Sequence, residues 1–121
     1  MGVVGIGVDL VSVGRMARAM HRGRFLERVF TPEERSVLAW PHPEEALAAR
    51  FAAKEATMKA LGVPLTLGRL REVEVVRTGG APRLHLSGTV LSRFQDLGAT
   101  SLLLTLSHER EMAVAVVVVL R

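Results

Sequence analysis

The chain has 121 residues, a formal net charge of +4 and a sequence pI of about 11.0. That length makes one domain, residues 1–121, able to bury a core without staples, and the absence of cysteine excludes disulfides and thiolate chemistry. The basic balance points to an acidic partner without choosing between nucleic acid, a phosphate ligand and an acidic protein.

The first stretch, "GVVGIGVDL", predicts a strand over residues 2–8. It lacks a basic n-region and a long uninterrupted apolar run, so it reads as neither a signal peptide nor a membrane span. Alternation puts Val4, Ile6 and Val8 on one face and Gly5, Gly7 and Asp9 on the other. The two glycines clear a strip for a ligand or another backbone, and Asp9 stands at its end. Read alone, Asp9 suits a helix N-cap or turn as well as a cation ligand.

A basic helical segment is expected over 12–29. Arg15, Arg18 and Arg22 share a face, Arg24 follows, and Met16 and Met20 lie on an adjacent strip. Such a face is either plain solvated surface or a docking surface for an acidic partner. In "TPEE", Thr31, Pro32 and Glu34 match N-cap, N1 and N3 of a capping box opening a helix over 32–39.

An alanine-rich helix follows over 43–61. Of the sixteen basic residues only Lys54 and Lys59 are lysine, and both lie here. Leu47, Phe51, Met58 and Leu61 form an apolar seam, and Lys54 falls inside it, a poor place for an unpaired cation. Glu55 and Lys59 lie one turn apart on the flank beside Ala48, Ala52 and Ala56, either as an ordinary surface pair or as part of a site.

"EVEVVRTGGAPRLHL" alternates, turns on Gly79 and Gly80, and alternates again, a hairpin pattern. A short helix near 88–97 stops at Gly98. "SLLLTLSH" and "MAVAVVVVL" make a second strand pair around a charged turn; the latter is too short to cross a bilayer as a helix. About five strands and three or four helices give an α+β domain with a mainly antiparallel sheet. His21, His42 and His85 carry no signal, and His108 alone suits a turn.

A carboxylate at a strand end (Asp9), another on a helix (Glu55) and nearby lysines suit Mg²⁺ bridged to phosphate oxygens. Lysine serves there as a compact point charge, where arginine would impose a planar fork.

"GIGVDLVSVGR", "FTPEE", "RFAAKEATMKALG" and "LSHEREMAVAVVV" together resemble the holo-acyl-carrier-protein synthases, the small bacterial class of 4′-phosphopantetheinyl transferases, over nearly the whole chain. The resemblance implies transfer of 4′-phosphopantetheine from coenzyme A to a serine of apo-acyl carrier protein. Adenosine 3′,5′-bisphosphate would be released in a cytoplasmic step serving fatty acid biosynthesis. It implies a homotrimer with active sites at subunit interfaces, Asp9 and Glu55 as Mg²⁺ ligands, and Lys59 as the catalytic cation meeting the phosphates. It further implies that Arg50, Lys54, Lys59 and His108 bind coenzyme A, and that Arg15, Arg18, Arg22 and Arg24 dock the carrier protein. Two positions depart from the family pattern: Ser12, where many relatives carry glutamate, and Val63-Pro64-Leu65, where glycine-rich sequence is common. The resemblance leaves the proton acceptor open between Glu55 and an activated water.

Two other classes compete. A nucleic-acid-binding module would explain the pI, but five aromatics and no tyrosine leave no stacking platform. A non-catalytic interaction domain would leave Asp9 and the lysines as coincidence. The reading therefore expects no nucleic acid and no membrane.

Overall fold

Small residues decide how closely the first strand meets the long helix. In the computed structural model, which describes residues 2–121, strand β1 (Val3–Ser12) lies along a 19-residue helix, Pro43–Leu61. A methyl group at Gly5 would collide with the carbonyl of Ala60, and one at Gly7 with that of Ala56. Ala48, Ala52 and Ala56 are fully buried. The glycine strip therefore admits another backbone, not a ligand. A bulge between Val3 and Gly5 turns Val4 inward against the core, so Val4 does not share the outer face with Ile6 and Val8 as strict alternation would have it.

The other elements follow in chain order. Helix α1 (Val13–Ala19) is capped by Ser12, whose Oγ accepts from the Arg15 N–H at 3.2 Å. The basic segment expected as one helix ends at Ala19, turns through Gly23 at φ +45°, and resumes as α2 (Phe25–Val29). Helix α3 (Pro32–Arg35) runs into a 3₁₀ turn, Ser36–Ala39, and the long helix is α4. Gly62, at φ +69°, ends α4 with the Val63 N–H returning to the Met58 carbonyl at 2.9 Å. A short helix α5 (Leu67–Leu70), absent from the sequence expectation, precedes the hairpin of β2 (Val73–Val76) and β3 (Arg83–Leu86). Then come α6 (Gly88–Asp96), β4 (Ser101–His108) and β5 (Met112–Leu120).

The five strands among the described residues form two antiparallel sheets, not one: β1-β5-β4 and β2-β3. The inner face of the larger sheet, Ala113, Ala115, Val117 and Val119, is buried with Leu47, Met58 and Leu61 of α4. No helix among the described residues is long and apolar enough to cross a membrane.

Lys54 is fully buried and fully bonded. Its ammonium donates to Glu34 Oε1 at 2.6 Å, to the Val73 carbonyl at 2.6 Å and to the Leu70 carbonyl at 3.0 Å. Glu34 completes the predicted capping box, accepting from the Thr31 N–H at 3.0 Å, and its other oxygen accepts from the Val75 N–H at 2.8 Å. Capping alone therefore does not explain Glu34: it is also the counter-ion of Lys54, joining α3, α4 and β2. Burial pushes the Lys54 pKa down, and Glu34 opposes the shift. Three N–H donors meeting three acceptors in a closed space is a task for an ammonium, not for a planar guanidinium.

Breaking this pair strands a buried charge. Lys54→Met is expected to destabilise the fold by about 3–5 kcal/mol. The double variant Glu34→Gln/Lys54→Met should cost clearly less than the sum of the two single changes. Urea unfolding of the four proteins measures the coupling, and additive costs would show that the two groups are not a unit.

Candidate active site

Asp9 sits within β1, opposite Ala115, on the same face as the two glycines. It is not the cap of α1, since Ser12 has that role. Across the strand–helix contact, Lys59 Nζ donates to Asp9 Oδ1 at 2.9 Å and to the Val8 carbonyl at 3.3 Å. The Asp9 side chain is 11% exposed and that of Lys59 47%. The sequence leaves Lys59 either in an ordinary surface pair with Glu55 or as part of a site; its ion pair is this crossing to Asp9. The hydrogen bond and charge of Asp9 hold the Lys59 pKa above the ordinary lysine value.

Glu55 completes the cluster from α4. Burial raises its pKa, the Asp9 charge raises it further, and Lys59 and Arg15 oppose the shift. Glu55, partly buried, and Asp9, close enough to disfavour the Glu55 charge, form a hard-oxygen donor set. Such a pair gains from a divalent cation, so the residues present fit Mg²⁺.

The open depression here is bounded by Asp9 and Glu55, by Arg15, Arg18 and Arg22, and by the Phe25 and Phe51 rings, whose centroids lie 6.1 Å apart. Arg22 lies beyond the end of α1 yet lines the same depression. Arg24 does not; its guanidinium is exposed and pairs with Glu27 at 2.8 Å. Met16 is buried and Met20 packs partly inward, so this strip serves the core.

Arg50 and His108 share a second depression with Trp40, Glu45 and Arg77. Arg50 is buried, with Nη1 donating to the Ala46 carbonyl at 3.1 Å. His108 is exposed, with Nδ1 3.3 Å from Glu45 Oε1. Arg50 and Glu55 are five residues apart on α4, which turns them about 140° from each other. The two depressions share no lining residue.

The structure thus brings together Asp9, Glu55 and Lys59, with Arg15, Arg18 and Arg22 beside them, and separately joins Arg50 to His108. It overturns the expectation that Lys54 meets coenzyme A: the side chain has no exposed surface and no free proton to donate. Sequence reasoning missed Trp40 and Arg77 in the second depression; that Trp40 is the only tryptophan was the one available cue.

The profile of the 4′-phosphopantetheinyl transferase superfamily matches residues 5–117. A holo-[acyl-carrier-protein] synthase of Beutenbergia cavernae is 47% identical over 118 residues, covering 96% of this chain and 97% of the relative. That of Frankia alni is 47% identical over 119 residues, covering 98% of each. Among solved structures, the Neisseria meningitidis holo-[acyl-carrier-protein] synthase superposes with a TM-score of 0.85 at 31% identity, covering 99% of this chain and 100% of that one. A Chronobacterium ammoniagenes synthase–coenzyme A complex gives 0.86 at 32% identity, covering 98% and 97%.

The raised pKa of Glu55 carries a stability consequence. A carboxyl with a raised folded-state pKa favours the folded state below its unfolded value, and that contribution is lost as pH rises through the folded value. At neutral pH and without metal, ionised Glu55 therefore opposes folding. Glu55→Gln is expected to raise Tm in chelator at pH 7, with the gain shrinking toward pH 4. Thermal unfolding across that range checks it, and a lower Tm at pH 7 would contradict the burial argument.

Proposed function

The chain belongs to the 4′-phosphopantetheinyl transferase superfamily, among its holo-acyl-carrier-protein synthases, and we propose a Mg²⁺-dependent reaction carried by Asp9, Glu55 and Lys59. It transfers 4′-phosphopantetheine from coenzyme A to a serine hydroxyl of apo-acyl carrier protein, in the cytoplasm and for fatty acid biosynthesis. The observation that carries this reading is the meeting of Asp9, Lys59 and Glu55 beside three arginines.

The serine oxygen bonds to the phosphorus bearing pantetheine, the pyrophosphate P–O bond breaks, and adenosine 3′,5′-bisphosphate leaves. Asp9 and Glu55 would hold Mg²⁺, which would supply Lewis-acid neutralisation of the pyrophosphate. The Lys59 ammonium, exposed on one side and fixed to Asp9 on the other, offsets charge on the departing phosphate. The serine proton goes to Glu55 or to a water beside the two carboxylates. Arg15, Arg18 and Arg22 line the approach and dock the acidic carrier protein, where complementary charge raises association rate and fixes orientation. Arg24, engaged with Glu27, contributes only at the margin.

Arg50 and His108 reach coenzyme A from a neighbouring subunit in a homotrimer. The separation of the two depressions supports that reading, and so does the outer face of the larger sheet. Ile6, Val8 and Leu10 are 68%, 56% and 63% exposed, and in register they lie beside Val118, Val116 and Val114 of β5. Leu103 of β4, 56% exposed, extends the first of these rows. An apolar sheet face of this kind marks an interface.

Incubating the protein with apo-acyl carrier protein, coenzyme A and Mg²⁺ is expected to add one phosphopantetheine to the carrier, read as an intact-mass shift. Asp9→Asn should lose most of that activity while remaining folded. Lys59→Arg should be a poor substitute in kcat despite its retained charge, and Lys59→Ala worse still. Wild-type turnover in Lys59→Arg would remove the compact-charge role.

The sheet-face reading has its own check. Val8→Asp places a charge in the middle of the apolar rows and is expected to convert trimer to monomer in light scattering, with loss of transfer. A Val8→Asp protein that keeps the wild-type mass would move the interface elsewhere.

A further inference from the structure

Asp9 stands between two cations. Its Oδ1 accepts from the Lys59 ammonium at 2.9 Å, and its side chain is only 11% exposed. A divalent cation on the same carboxylate would lie beside that ammonium, with little water to screen the repulsion. The rest of the Lys59 environment favours movement. The ammonium also donates to the Val8 carbonyl at 3.3 Å, on an outer strand of the larger sheet, so two acceptors among the described residues meet its three protons. Its side chain is 47% exposed, on a flexible four-carbon stem. Lys54 is the contrast: fully buried, with one carboxylate and two carbonyls matching all three protons, it has no freedom to change partners. Lys59 therefore holds Asp9 with a charge that can leave.

We propose that Lys59 and the divalent cation exchange places on Asp9. Lys59 holds the carboxylate until the cation takes it, and the released ammonium turns to the phosphates of coenzyme A. The contact that fixes Lys59 here is then the one it gives up on loading. Lys59 acts as a latch between two binding events. It weakens the site for metal alone, since a bonded ammonium must be displaced. That cost falls away when a phosphate ligand offers the ammonium a new anionic partner. By linkage, metal and coenzyme A each tighten the other beyond what direct contact between cation and pyrophosphate supplies. This inference rests on the Mg²⁺ reading of Asp9 and Glu55 and on the phosphate role of Lys59.

The sequence supplies the probe. Lys54 and Lys59 are the only lysines, so protein isotopically labelled at lysine Cε and Nζ gives two sets of side-chain NMR signals. Lys54, with every proton bonded inside the fold, is the internal reference. Asp9→Asn in chelator defines the Lys59 signal once its carboxylate partner is gone. Saturating Mg²⁺ without coenzyme A is expected to carry the wild-type Lys59 signal from its chelator position to that released position, while Lys54 stays in place. Adding coenzyme A should move Lys59 again, to a third position. Calorimetry reads the coupling. Lys59→Met should bind Mg²⁺ alone about fivefold or more tightly than wild type, and coenzyme A should lower its Mg²⁺ Kd by a smaller factor. Mg²⁺ that binds while Lys59 keeps its chelator signal would overturn the exchange and leave the metal reading standing. A coupling factor in Lys59→Met equal to the wild-type value would also overturn the latch. No Mg²⁺ binding to wild type or to Lys59→Met, with or without coenzyme A, would sink the metal reading and this inference with it.

Discussion

The contact between β1 and α4 is the constraint on which the site depends. Two residues of strand advance about 6.6 Å, and one helical turn advances about 5.4 Å, so the two elements can stay in step over a short distance. They do so here in opposite directions: Gly5 meets Ala60, and Gly7 meets Ala56. The next inward position on the strand is Asp9, and its charge acts on Glu55, the residue just before Ala56 on the helix. Any side chain at Gly5 or Gly7 would strike helix backbone, which cannot yield as a flexible side chain can. The absence of two methyl groups therefore sets the separation of a carboxylate on a strand from another on a helix.

The same helix shows why a chain with fourteen arginines keeps two lysines. Both positions call for a compact ammonium, but for opposite environments. Lys54 is enclosed, and its three protons are matched by one carboxylate and two carbonyls. Lys59 is fixed at one side to Asp9 and left open to solvent on the other, which is where a ligand can approach. Residues five apart on one helix thus divide between holding the fold and facing the chemistry. The shared residue type conceals that division, which is why a compact cation at Lys54 was readily taken for a phosphate contact.

Much of the architecture was legible because it is local. The capping box at Thr31, the ends of α4, the hairpin and the β4–β5 pair all follow from patterns within a few residues. What escaped depends on contacts distant in sequence. The split into two sheets turns on strands pairing across the chain, and the Glu34 carboxylate meets a lysine 20 residues on and a backbone N–H 41 residues on. The single basic helix failed for a different reason: the charge pattern continues smoothly through Gly23, but the backbone there takes a left-handed turn. At the site, Asp9, Glu55 and Lys59 were readable as a set because their residue types are scarce and their chemistry is shared. Trp40 and Arg77 carry no such mark, since an arginine in this sequence is the default cation.

The division of the site across α4 follows from the helix as much as from any residue. A single helix packed on a sheet buries one side, and its remaining positions look out in different directions; Glu55 and Arg50 emerge about 140° apart. A ligand with two anionic groups could be reached by both if a second copy supplied one of them. The outer face of the β1-β5-β4 sheet, with its exposed Ile6, Val8, Leu10 and Leu103, offers an apolar reason for copies to associate. Strand β1 belongs to both features. Its inward residues bring Asp9 to the helix while its outward residues form the apolar rows, so association through that face would order the strand that carries Asp9. Assembly and catalysis would then be coupled through alternate side chains of one strand, with the period of two keeping each role on its own face.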